Sequence, residues 1–158
     1  MEARHEIDVV RGNLDDETSA ELLAFWAERS QLSESQAESR LPQVVCVLRA
    51  PGGAVAGANS VYQEDLPLIA NRRFWVYRSL LAPGTTTEDW EGMLLLCFDT
   101  LADAFEPGGP IGIVAPIADP QLPVLKPEAI WPRSQFNYAG FLADGRQARV
   151  RYFPEGRV

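Results

Sequence analysis

Apolar positions along the chain fall into two rhythms, and the changes between them mark out the elements. His5 to Val10 alternates polar and apolar, which predicts a half-buried first strand. From Asp16 to about Ser30, Leu22, Phe25, Trp26 and Arg29 recur along one side of a helix. Asp15, Asp16 and Glu17 at its start suit the positive end of the helix dipole. Ser33 with Gln36 has capping-box spacing and opens a short helix that ends near Leu41, before Pro42. Val44 to Leu48 is a dense apolar run, the mark of a strand buried on both faces. The turn Pro51-Gly52-Gly53 folds it into a hairpin with Ala54 to Tyr62. Gln63 to Pro67 breaks the pattern, reads as a solvated turn, and leads to a strand over Arg72 to Leu81. Pro83 closes that strand because it cannot extend a ladder.

A turn over residues 84–87 then feeds a long helix. Thr85 with Glu88 fits a capping box, and Leu94, Cys97, Leu101 and Phe105 recur at helical spacing from Trp90. Met93, Leu95, Leu96 and Phe98 widen the stripe, so the helix is expected to be buried. Pro107-Gly108-Gly109-Pro110 is a terminating turn, and Ile111 to Ala115 a strand that a crossover helix makes parallel to its predecessor. Asp119 to Pro132 carries four prolines, leaving room for one helical turn or a short helix after Pro127. Asp144-Gly145 is a hairpin signature, with a second arm from Gln147 to Phe153. Without repeat or linker, the chain reads as one domain over residues 1–158. Its central feature is the strand, turn and helix from Arg72 to Phe105, the arrangement with which α/β proteins bind anions.

Composition narrows the chemistry. With 158 residues, 46% of them hydrophobic, the chain can bury a sizeable core. A net charge of -8 argues against nucleic acid as a partner, because a phosphate backbone would be repelled. Cys46 and Cys97 each sit in an apolar run and read as reduced, buried thiols. His5 is the only histidine and no cluster has metal-ligand spacing, which disfavours a histidine-based nucleophilic centre and a metal site. Ser60 lacks the glycines of a nucleophile elbow. No apolar run approaches membrane-spanning length and the N-terminus has no apolar signal core, so the expectation is a cytoplasmic protein without a membrane partner.

The element order resembles the GNAT acetyltransferase superfamily over nearly the whole chain. Phe74 to Pro83 resembles its fourth strand, Gly140-Phe141 the Gly-Phe that opens its sixth, and Val44–Leu48 with Ala54–Val61 its second and third. The resemblance implies a mixed α/β fold with a central, mostly antiparallel sheet flanked by helices. It also implies acetyl-CoA or another acyl-CoA as co-substrate and a small-molecule amine acceptor. A backbone amide of Leu80 or Leu81 would polarise the thioester carbonyl. The family's phosphate-binding signature falls on Thr86, Thr87, Asp89 and Glu91, none of them the expected arginine, glutamine or glycine. Glu88, Asp89 and Glu91 place three carboxylates where the cofactor's diphosphate would sit, and they oppose a second anion there. Glu64 is the candidate general base, set against its reading as a turn residue. The family's proton-donor tyrosine position holds Phe136; Tyr138, two residues on, is the candidate replacement, set against its reading as a surface residue.

Arg72, Arg73 and Arg78 flank the fourth strand as candidates for an acidic ligand or as a protective positive edge. Trp75 and Tyr77 share one strand face, and Trp26 and Trp90 read as helix-face core. Arg146, Arg149, Arg151 and Arg157 read as exposed alternation in the last strand, with an anionic ligand or a self-complementary homodimer contact as the alternatives. The leading function is an acyl-CoA-dependent N-acyltransferase. The alternative is a catalytically inactive GNAT-fold module for binding or dimerisation.

Overall fold

The computed structural model describes residues 4–117 and 128–156. The elements run β1 (Glu6–Val9), α1 (Asp16–Arg29), α2 (Glu34–Arg40), β2 (Val44–Arg49), β3 (Val55–Leu66), β4 (Arg72–Leu81), α3 (Thr87–Asp103), β5 (Gly112–Ile117), β6 (Asn137–Phe141) and β7 (Gln147–Tyr152). The seven strands form one mixed sheet in the order β1-β2-β3-β4-β5-β7-β6. β1–β2, β2–β3, β5–β7 and β6–β7 are antiparallel, while β4 and β5 pair parallel through Trp75–Ile113 and Val76–Val114. The crossover through α3 is what permits that parallel pair. By compactness the chain divides into two units, Met1–Ser60 with Ser79–Cys97 and Val61–Arg78 with Phe98–Val158.

In the first unit, Leu22, Phe25 and Trp26 of α1 pack with Ala37, Val44, Val47 and Ala58, as the helical stripe predicts. The two capping devices of this segment also form: Asp15 accepts from the Thr18 N–H at 2.7 Å, and Ser33 and Gln36 bond reciprocally. Arg49 ties the outer strands to α1 by pairing with Asp8 at 3.2 Å and Glu21 at 2.9 Å. Asn59 is the buried polar joint: its Oδ1 accepts from the Cys46 N–H at 2.7 Å, and its Nδ2 donates to the Met93 carbonyl at 3.1 Å. One side chain therefore fastens β2, β3 and α3. Cys46 and Cys97 are free and buried, and burial pushes the Cys46 thiol up to about 12 and the Cys97 thiol well above its ordinary value.

In the second unit, Leu66, Phe74, Val76, Val114, Ala148 and Val150 form the core. Phe98 and Phe153 stack at 5.4 Å, and Phe136 meets Phe98 edge-on at 6.1 Å. Arg149 and Arg151 depart from the expected exposed alternation. Arg149 is 1% exposed, lies 4.3 Å over the Trp131 ring and donates to the Glu128 carbonyl at 2.6 Å. Arg151 lies 3.8 Å over Phe98 and donates to the Ser134 carbonyl. Aromatic faces and loop carbonyls replace water around both guanidinium groups, which is why strand periodicity failed to place them. Arg157 and the proline-rich residues 118–127 lie outside the described residues. After residue 127 no short helix forms: Ile130 bridges Asn137, and residues 132–134 make a single turn closed by the Gln135 N–H donating to the Trp131 carbonyl at 2.7 Å.

Two strand limits differ from expectation. β3 continues through Gln63 and Glu64 to Leu66, so the charged stretch belongs to a strand and not to a turn. Gly140 and Phe141 close β6 instead of opening it. A register shift between Tyr138 and Gly140, with Gly140 at φ 109, bends the strand there.

Candidate functional site

The strand–turn–helix hub lies largely in the first unit. Leu80 and Leu81 end β4 and are half-buried, with Leu80 and Ala82 packed against the α1 core. Gly57 of β3 allows this close approach: a Cβ there would run into the Leu81 side chain and come within 3.2 Å of the Leu80 carbonyl. The Ala82 N–H donates to the Ala56 carbonyl at 2.7 Å. Beyond Pro83, the Thr85 hydroxyl donates to the Ala82 carbonyl at 2.9 Å and tightens the turn.

The capping box sits one residue later than the sequence spacing suggests. The Thr86 hydroxyl accepts from the Asp89 N–H and the Asp89 carboxylate accepts from the Thr86 N–H, each at 3.0 Å. Thr86 is thus the cap and Asp89 the reciprocating acid, while Thr85 serves the preceding turn. Thr87 is the first helical residue and is exposed. The three acidic residues are placed differently. Glu88 is exposed, Glu91 is turned inward and only 4% exposed, and Asp89 is fixed on the backbone amide that opens the helix. His5 brings its Nδ1 to 3.7 Å from the same Asp89 oxygen. The capping amide at this helix start is therefore taken by the chain's own carboxylate, which places a negative charge where an anion would approach.

These observations test the fit of acetyl-CoA. The sequence places expected for small residues carry the side chains of Thr87, Asp89 and Glu91, and the amide of Thr86 is already satisfied. A diphosphate arriving at this turn would meet a satisfied amide and a carboxylate that opposes it.

Trp90 is not core, contrary to its helix-face periodicity. It is half-buried and its indole Nε1 donates to the Ser79 hydroxyl at 3.1 Å, joining the first turn of α3 to β4. Sequence spacing gave no sign of this pair, because Ser79 interrupts the apolar pattern of β4 without belonging to any motif.

The structure gathers Leu80, Leu81, Thr86 and Thr87 into one stretch of the first unit, whereas Glu64 and Tyr138 belong to the second. Glu64 is exposed on β3, two residues past Tyr62, whose ring carries the Arg78 guanidinium at 4.5 Å. Arg73 pairs with Asp65 at 3.0 Å, which accounts for one of the two arginines at the start of β4. Tyr138 is 46% exposed on β6 and meets Phe141 edge-on at 6.1 Å; Phe136 is fully buried and can donate no proton. Leu68 and Phe141 are exposed in the same unit, and Leu68 lies 3.6 Å from where a Gly140 Cβ would sit, so an apolar surface adjoins Tyr138. Ser60 is buried, in keeping with its exclusion as a nucleophile. Among the described residues no cluster could hold a metal ion, and no helix is long and apolar enough to cross a membrane.

Solved structures match this chain closely in fold. A phosphinothricin acetyltransferase of the GNAT superfamily from Sinorhizobium meliloti, solved with AcCoA, superposes with a TM-score of 0.68 at 16% identity, over 97% of this chain and 90% of its own. The GNAT N-acetyltransferase YhbS from Escherichia coli, solved with CoA, gives 0.62 at 13% identity, over 98% and 84%. FeeM, an N-acyl amino acid synthase from uncultured soil microbes, gives 0.55 at 11% identity, over 98% and 93%. No protein-family model matches the sequence, and no curated protein matches it. The fold is that of the GNAT N-acetyltransferases, as the element order implied.

Proposed function

Taking the GNAT fold as premise, we propose that this chain is an N-acyltransferase that moves an acyl group from a thioester to the amine of a small acceptor. The observation that carries the reading is the parallel β4–β5 pair set among antiparallel ladders, with β4 running into α3 through Leu80 and Leu81. A strand end of this kind offers backbone N–H groups to a developing oxyanion, and a backbone donor is indifferent to side-chain divergence. In the reaction the amine nitrogen forms a bond to the thioester carbon, the C–S bond breaks, and the thiolate leaves. The nitrogen must then lose a proton and the sulfur gain one. Glu64 is the proposed acceptor of the first and Tyr138 the proposed donor of the second; both are exposed and so reachable. The apolar surface of Leu68 and Phe141 beside Tyr138 favours an acceptor with an apolar part.

A second reading has its own support. Asp89 on the helix cap and Phe136 in the donor position both remove chemistry that an acetyltransferase uses, which favours a binding module without turnover. Incubation with acetyl thioesters and a panel of primary amines, followed by mass spectrometry, separates the two. Acylated amine that is lost in Glu64→Gln supports the enzyme. Thioester binding without product in any amine supports the module.

A further inference from the structure

The conflict between the GNAT fold and its closed anion position has a consequence for the donor. We propose that this chain recognises an acyl thioester through its pantetheine-type arm and acyl group alone, with no contribution from a diphosphate. The inference rests on the thioester reading above and specifies the donor class for that site. Three observations carry it. The Asp89 carboxylate accepts from the Thr86 N–H at 3.0 Å, where an incoming phosphate oxygen would need the same donor. The Asp89 N–H is directed to the Thr86 hydroxyl at 3.0 Å, so the two groups satisfy each other, and displacing Asp89 would break both bonds. His5 lies 3.7 Å from the same carboxylate oxygen, placing the strand end ahead of β1 against the cap.

Leu80 and Leu81, by contrast, carry no charged side chain, and in the proposed site only their backbone groups meet an extended amide-bearing chain. The Ser79 hydroxyl accepts from the Trp90 indole, which leaves its own proton available to an amide carbonyl of such an arm. The side of the site that reads amides is thus intact, and the side that reads phosphate is closed.

The test compares acetyl-CoA with acetyl-pantetheine, titrated calorimetrically into the full chain, with inorganic pyrophosphate and ADP as competitors. The two dissociation constants are expected to lie within about threefold of each other, because the diphosphate adds nothing. Millimolar pyrophosphate or ADP is expected to displace neither thioester. Acetyl-CoA binding thirtyfold or more tightly, or displacement by pyrophosphate, would overturn the inference and leave the acyltransferase reading standing. Binding of neither thioester would overturn both. As a further readout, Ser79→Ala is expected to weaken both thioesters by the same factor, whereas a loss confined to acetyl-CoA would contradict the inference.

Discussion

Replacing Asn59 by leucine removes a side chain that fastens β2, β3 and α3 in the first unit. Two buried backbone groups lose their partners, the Cys46 N–H at 2.7 Å and the Met93 carbonyl at 3.1 Å. Each orphaned group costs about 1–3 kcal/mol, and burying the larger apolar side chain offsets about 1–2 kcal/mol of the sum. The net expectation, at the centre of that range, is a loss of about 2–3 kcal/mol, equivalent to a fall in Tm of roughly 4–12 °C for a chain of this size. Urea unfolding followed by circular dichroism measures it, with an unchanged slope showing that the folded state is otherwise intact. Asn59→Asp supplies a control with its own sign. A carboxylate at 59 still accepts from Cys46 but faces the Met93 carbonyl, and its buried pKa rises above the unfolded value near 4. Its stability is therefore highest at low pH, where the protonated acid can donate to Met93, and falls as pH rises through the elevated folded value. A loss below about 1 kcal/mol in Asn59→Leu, or a pH-independent Asn59→Asp, would refute the joint.

The buried thiols give a second pH dependence. Cys46 is held at about 12 against an ordinary value of 9.0, so its stabilising contribution is complete below pH 9 and is lost as pH rises from there toward 12. The slope is at most about 1.4 kcal/mol per pH unit for this proton, and the difference between wild type and Cys46→Ala isolates it. Both thiols are also expected to resist an aromatic disulfide reagent at pH 8 until the chain is denatured, when two equivalents react; rapid reaction of the folded protein would contradict their burial. Ala70 sits in the left-handed region at φ 51, where a Cβ is crowded, and Ala70→Gly is expected to stabilise the chain by up to about 1 kcal/mol in the same urea assay. A loss of stability there would show that the glycine's extra freedom in the unfolded chain outweighs the relieved crowding.

Much of the fold was legible because periodicity and burial agree in its strongest elements. Val44–Leu48 reads as a buried strand and is one; Leu22, Phe25 and Trp26 read as a helix face and form the core beside it. Legibility failed where long polar side chains are covered by specific partners. Arg149 and Arg151 alternate like solvent-facing residues, yet each is roofed by an aromatic ring, a pairing no local pattern encodes. Glu64 looked like a turn residue because three polar positions in succession mimic a loop, whereas an exposed strand end tolerates them equally. The capping box lies one residue from the expected place because three successive threonines give two acceptable spacings, and only tertiary structure, with Thr86 bonded to Asp89 and Thr85 to the Ala82 carbonyl, distinguishes them. The loss of the phosphate signature was visible as missing glycines. That a single carboxylate occupies the amide, while Glu91 turns inward, was not.

Opposition of the Asp89 carboxylate to an anion at the start of α3 underlies the donor class proposed above. It is tested most directly by the affinity of acetyl-CoA for wild type and for Asp89→Gly, measured by calorimetry at one ionic strength. Removing the carboxylate frees the Thr86 N–H for a phosphate oxygen, a charge-assisted bond of about 1.5–3 kcal/mol that the wild type does not make, so acetyl-CoA is expected to bind at least about tenfold more tightly. Affinity that is unchanged or weaker in Asp89→Gly would contradict it.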